Sequence, residues 1–151
     1  MLEIITTGGT IDKVYFDAKS TFEVGEPQIG EVLREANLAI DYRVTPLLRK
    51  DSLDLTDADR DTIRAAVEKS PSEQIVITHG TDTMIDTAKH LHDIHGKTIV
   101  LTGAMQPARF RLTDAVFNIA SAMMGSSSSG PAAMMASRNA ITAAVRNAKS
   151  R

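Results

Sequence analysis

Two adjacent glycines at the end of an apolar run constrain this chain more than any other stretch. Residues 2–11 read Leu-Glu-Ile-Ile-Thr-Thr-Gly-Gly-Thr-Ile. The isoleucine-rich half reads as a buried β-strand, and Gly8-Gly9 as a tight turn at its carboxyl end. Glycine accepts positive φ and lets a ligand approach the backbone closely. In an open α/β sheet the carboxyl ends of strands are where ligands bind. A hydroxyl held there beside exposed amide N–H groups can attack a carbonyl carbon, which makes Thr10 the expected nucleophile. A phosphate-binding loop or a plain strand-to-helix turn is the competing reading. The run has neither the Lys-Ser/Thr ending of a Walker loop nor a Gly-x-Gly-x-x-Gly spacing.

The rest of the chain alternates strand and helix patterns. Residues 12–26 alternate polar and apolar side chains for a few positions and then reach Phe22-Glu23-Val24-Gly25, which predicts a short hairpin or mobile flap. Pro27 is placed to open a helix over 27–36, with Ile29, Val32, Leu33 and Ala36 along one face. Residues 42–48 read as a second strand, with Pro46 marking its end or an edge. Thr56 is an expected N-cap for a helix to about residue 69, with Asp57 and Asp59 in its first turn. Strands follow over 74–78 and 97–102, and helices over 83–92 and from 113 onward. Residues 125–130 read as a flexible serine-glycine loop, 132–136 as a short last strand, and 125–151 altogether as a poorly defined tail. The alternation predicts an α/β fold: a mainly parallel sheet with helices on both faces, a flavodoxin-like three-layer arrangement in one domain of 151 residues.

Composition removes several functions. A formal net charge of −2 offers no electrostatic case for nucleic acid or an anionic membrane as partner. No apolar run approaches the roughly 20 residues of a membrane-spanning helix. Cysteine is absent, which excludes disulfides and thiol chemistry and fits a reducing compartment. With no leader pattern at the start, the expectation is a cytoplasmic protein. No histidine–carboxylate spacing of a metal site is present; His90, His92 and His95 read as a polar helix end and its turn.

Two further strand ends carry polar loops. Thr78-His79-Gly80-Thr81-Asp82-Thr83-Met84 repeats the glycine-and-threonine chemistry of the first turn at the 74–78 strand. Its simpler reading makes Thr81 or Asp82 only the N-cap of the next helix. His79 is a candidate general base. Asp51-Ser52 sits at the end of the 42–48 strand, as turn chemistry or as a holder of polar substrate groups.

Together these segments resemble the bacterial-type L-asparaginases. Thr7-Gly8-Gly9-Thr10-Ile11 and His79-Gly80-Thr81-Asp82-Thr83-Met84 are similar to that family's two signatures, and each is specific. Phe22-Glu23-Val24-Gly25 resembles its flap, while Lys50-Asp51-Ser52 and residues 101–107 resemble two more strand ends. The likeness runs over the family's amino-terminal domain only, which implies a short-chain, single-domain form lacking the usual second domain. It further implies Thr10 as nucleophile and Thr81 as second catalytic threonine. Asp82 would receive the substrate's α-ammonium, and Ser52 with Asp51 would hold its α-carboxylate. The expected reaction hydrolyses L-asparagine to L-aspartate and ammonia through an acyl-threonine, with no cofactor and no metal. Glutamine or another small amide as substrate, or a binding module without turnover, are the alternatives. Two positions depart from the family pattern. Phe22 falls where a flap tyrosine is expected, with Tyr15 able to substitute. Asn147 falls where the catalytic lysine is expected, with Lys149 two residues on. A missing pocket wall implies a homodimer or higher oligomer.

Overall fold

The computed structural model describes residues 1–127 and the backbone of 136–137 and 140–146. Strand β1, Leu2–Gly8, is buried along its whole length. It lies between β4 (Tyr42–Lys50) and β5 (Gln74–Thr78), parallel to both. Strand β6 (Thr98–Thr102) continues the parallel set beyond β5. Side chains alternate across a strand, so β1, β5 and β6 feed two cores. Leu2, Ile4, Val76 and Val100 pack with Ile29 and Leu33 of α1 (Ile29–Glu35) and Ile119 and Met123 of α4 (Ala115–Ser127). On the other face Ile5, Ile75, Ile77, Ile99 and Leu101 pack with Ile63 and Val67 of α2 (Asp57–Lys69) and Met84 of α3 (Met84–His90). The result is the expected three-layer α/β fold.

The last part of the sheet turns around. β8 (Ala140–Arg146) pairs antiparallel with β6, and the two-residue β7 (Ala136–Ser137) pairs with β8. The sheet order is β4-β1-β5-β6-β8-β7. Counting only the five longer strands, this is the 2-1-3-4-5 order of flavodoxin-like folds, with the fifth strand reversed.

Several boundaries move for identifiable reasons. Pro46 does not end β4. It faces Thr6 across the β1–β4 ladder on an outer strand, where a missing N–H is tolerated. The register then slips between Thr6 and Gly8, so that Gly8 sits opposite Lys50. Helix α1 starts at Ile29 rather than Pro27, with Gln28 as its N-cap and the Gln28 N–H donated to the Asp12 carboxyl. Helix α2 begins where expected, on a full capping box between Thr56 and Asp59. Lys50 Nζ reaches both Asp59 oxygens at 2.9 Å, and the Thr56 amide and Lys50 together hold that carboxyl down to about 2. In place of a loop from residue 125, helix α4 continues through Gly125 to Ser127. Of the expected strand over 132–136, only Ala136 falls on described residues.

The segment after β1 forms a short hairpin, one of the two forms expected for it. A short 3₁₀ turn at Thr10–Asp12 leads into β2 (Lys13–Phe16), which pairs antiparallel with β3 (Thr21–Val24). Tyr15 and Phe22 face each other in this ladder, their ring centroids 5.3 Å apart. Phe22 also meets Phe110, of the loop between β6 and α4, at 6.0 Å. Edge-on aromatic contacts of this kind hold the hairpin against that loop.

Candidate active site

The topology singles out one crevice. From β1 the chain crosses to β4 on one side, and from β5 it crosses to β6 on the other. The carboxyl ends of β1 and β5 therefore flank the point where the winding reverses, the place where open α/β sheets bind ligands. Thr10 follows the end of β1, Thr81 and Asp82 follow β5, and Ser52 follows β4.

Glycine is required for these three ends to meet. Gly8 and Gly9 have φ of +103° and +86°, which side-chain-bearing residues rarely adopt. The Gly9 N–H donates to Lys50 O at 2.9 Å, drawing the end of β4 under the turn. A methyl group on Gly9 would come within 2.5 Å of Gly80 N, and one on Gly80 within 2.5 Å of Ser52 Cβ. A methyl group on Gly103, at the end of β6, would stand 3.4 Å from Thr81 Cγ2. Backbone-to-backbone packing therefore brings the Thr10 turn, the Thr81 loop and Ser52 together.

Asp82 and Ser52 are joined. Ser52 Oγ lies 3.4 Å from Asp82 Oδ2, a long contact, while Thr83 Oγ1 donates to Ser52 O at 2.8 Å. Ser52 is buried, Thr10 and Thr81 are half-buried, and Asp82 is exposed. The Thr10 and Thr81 hydroxyls have no hydrogen-bond partner among the described residues. A carboxylate beside hydroxyls is the donor and acceptor set that a zwitterionic amino acid needs.

Asp51 is placed differently from its neighbour. Its carboxylate pairs with Lys13 Nζ at 2.8 Å and accepts the Leu53 N–H at 3.2 Å. The Lys13 contact, against the opposing effect of burial, holds the carboxyl below the usual range. Asp51 thus ties the flap to the Ser52 loop. His79 is also committed. It is fully buried, with Nδ1 2.6 Å from Gly80 O and Nε2 2.8 Å from Thr87 Oγ1. Burial lowers its pKa and keeps it neutral, so Nδ1 donates to the carbonyl and Nε2 accepts from the hydroxyl. His79 clamps the base of the Thr81 loop and has no nitrogen left to act as a base. Tyr15 is 52 % exposed on the same hairpin face as Phe22. Lys149 and Asn147 lie outside the described residues.

Sequence reasoning missed two carboxylates beside the site. Asp12 is buried in the 3₁₀ turn that begins at Thr10. Asp114 accepts the N–H groups of Met105 and Gln106 at 3.0 Å each and fixes the loop after β6. The apolar Ile11 before Asp12 was the single local signal of burial; its partner Gln28 is 16 residues away and invisible to pattern.

Similarity to known proteins agrees with this geometry. The family model "Asparaginase, N-terminal" matches residues 1–151. The chain is 29% identical to a probable periplasmic L-asparaginase of Haemophilus influenzae, over 95% of this chain and 44% of that protein. It is 32% identical to a glutaminase-asparaginase of Acinetobacter glutaminasificans, over 83% of this chain and 41% of that one. The fold superposes on the thermostable L-asparaginase of Thermococcus kodakarensis with a TM-score of 0.70 at 27% identity, over 83% of this chain and 40% of that structure. For L-asparaginase I of Vibrio cholerae the TM-score is 0.65 at 25% identity, over 81% and 39%. The chain spans about two-fifths of the length of these relatives. With a family model covering its whole length and the signature loops meeting at one sheet edge, this chain belongs to the asparaginase family, in its amino-terminal domain.

Proposed function

We propose that the chain hydrolyses the side-chain amide of L-asparagine through a covalent acyl-threonine. The observation that carries this reading is the convergence of Thr10, Thr81, Asp82 and Ser52 at the winding reversal of the sheet. Thr10 Oγ attacks the amide carbonyl, and its proton is passed on through Thr81 and a nearby amine, for which Lys149 is the proposed source. The carbonyl oxygen becomes an oxyanion held by strand-end N–H groups. The C–N bond breaks with a proton delivered to nitrogen, ammonia leaves, and water then cleaves the Thr10 ester to release aspartate. Asp82 takes the α-ammonium and Ser52 the α-carboxylate. Asp51, paired with Lys13, shapes the Ser52 loop more than it contacts substrate. Tyr15 stands in for the flap tyrosine beside Phe22. A homodimer or higher homo-oligomer is the assembly proposed for the chain.

Ammonia release from L-asparagine by wild type and Thr10→Ala tests the reading. A loss of about a thousandfold or more in Thr10→Ala is expected, with an unchanged melting midpoint. Equal rates in the two proteins, or release by neither, would remove it. One relative is named a glutaminase-asparaginase, which favours glutamine as the second substrate to assay. An added methylene is worth about 10–200-fold in a close-fitting pocket, so the ratio of the two kcat/KM values separates the readings. Calorimetric binding of aspartate without ammonia release would instead indicate a binding module.

A further inference from the structure

The turn that carries Thr10 is closed into a ring of polar contacts that the proposed chemistry does not use. Asp12, two residues past Thr10, is 1 % exposed, and its N–H closes the turn on Gly9 O at 3.1 Å. Its carbonyl accepts the Gly25 N–H at 2.7 Å, where the flap ends. Its carboxyl Oδ1 accepts the Gln28 N–H at 2.9 Å, at the entry to α1. The buried Gln28 side chain in turn receives Arg109 Nε at 2.7 Å. Beside Arg109, the Ala108 N–H returns to Ile11 O at 3.0 Å. The ring runs from the Thr10 turn through both ends of the flap to the β6–α4 loop and back.

We propose that Asp12 is a positioning residue whose carboxyl group, through Gln28, holds the hinge of the flap against the turn that carries Thr10. Flap closure and nucleophile placement are then a single event. The catalytic half of this proposal rests on the amidohydrolase reading; the hinge half rests on the contacts alone.

The charges around Asp12 set the sign of the effect. Arg49 of β4 faces it but is engaged with Val24 O at 3.0 Å and Glu26 at 2.7 Å. Arg109 comes from the β6–α4 loop and is turned to Gln28. On its own strand side, Lys13 is paired with Asp51. Burial therefore wins over the Gln28 N–H and the Arg49 charge, and pushes the Asp12 carboxyl up to about 7. If closure of the flap is what buries this group, ionisation must favour the open flap by the same factor. The flap is then held most firmly near pH 4 and loosens progressively as pH climbs toward about 7, with no further loss above that.

Hydrogen exchange of the amides of β2 and β3, corrected for intrinsic rates, tests this at pH 6 and pH 8.5. Asparagine KM and kcat are measured in parallel. In wild type, protection is expected to fall about tenfold at the higher pH, the equivalent of one pKa unit, with KM rising more than kcat falls. Asp12→Asn, which keeps the acceptor and cannot ionise, is expected to be flat in both readouts. Asp12→Ala, which removes the acceptor, is expected to lose protection at both pH values and to lower kcat. Wild-type protection equal at the two pH values, or the wild-type dependence retained in Asp12→Asn, would overturn the proposal. Should no variant release ammonia, the amidohydrolase reading fails, and the exchange measurement still decides the hinge.

Discussion

The two ends of the same central strands are built for opposite purposes. At the amino end of β1, Glu3 is an almost fully buried carboxylate surrounded by donors. Arg43 reaches it through two nitrogens, Thr45 Oγ1 at 2.5 Å and Ser70 Oγ at 2.9 Å. Nearby, Lys97 Nζ donates to the carbonyls of Ser70 and Ser72 at 2.5 and 2.9 Å. At the carboxyl end, just past the glycine pair, the Thr10 hydroxyl has no partner among the described residues, and Thr81 has none. Charge is neutralised at the amino end of the strand, and the threonine hydroxyls are left free at the end where we propose that the substrate binds.

Substitutions at the two ends sharpen this contrast. Thr10→Ala should have the largest effect, a near-complete loss of ammonia release, and should leave thermal unfolding unchanged. Gly9→Ala comes next and should damage both properties. With φ +86° and ψ −175° Gly9 holds a backbone conformation reached essentially only by glycine, costing a residue with a Cβ about 1–3 kcal/mol, and the added methyl meets Gly80 N. Denaturant midpoint and substrate affinity should fall together. A variant that loses neither would show that the three loops are less tightly packed than the glycines imply.

Glu3→Gln should do the reverse of Thr10→Ala, lowering stability by roughly 2 kcal/mol with kcat/KM unchanged. The figure lies below that of a fully buried pair because Arg43 is half exposed to solvent. Burial works to raise the Glu3 carboxyl, yet the contacts from Arg43, Thr45 and Ser70 together hold it below its ordinary 4.5. A depressed carboxylate adds stability above its unfolded pKa and loses it as pH falls through the folded one. Acid unfolding curves of Glu3→Gln should accordingly be flatter than wild type below about pH 4.5. Asp12 has the opposite sign. Its raised pKa makes it destabilising as pH climbs from 3.8 toward about 7, so Asp12→Asn should gain stability over wild type at pH 8 and not at pH 4. The smallest effect belongs to Thr56→Ala, about 1 kcal/mol from the lost N-cap of α2.

Local chemistry makes much of this protein legible in its amino-acid order. The apolar runs of β1, β5 and β6 and the Thr56 cap are short-range signals, and each element lies where its pattern predicts. Thr10 stands out because a glycine pair ends a strand just before it. Pro46 misleads only in part: a proline can end a strand or lie along an outer one, and sheet order decides which. Residues 125–127 mislead further. Serine and glycine favour loops, yet Ser126 and Met123 are buried along the helix and packing carries α4 through them.

What the sequence determined by itself, then, is that the parallel strands β1, β4, β5 and β6 exist and which hydroxyls and carboxylates follow them, while the end of β4 and the reversed strand β8 were not legible in it. Hydrophobic period and turn chemistry act between neighbours, so a one-dimensional reading captures them. Tertiary structure alone decided what each polar residue does. It turned Asp51 toward Lys13 and left Asp82 exposed beside Ser52. It closed His79 between Gly80 and Thr87, and buried Asp12 in a ring that draws in Gln28, Ala108 and Arg109 from distant parts of the chain. Hydrogen bonding and desolvation depend on what surrounds a group in space, and that set of neighbours does not exist until the sheet has brought distant loops to one edge.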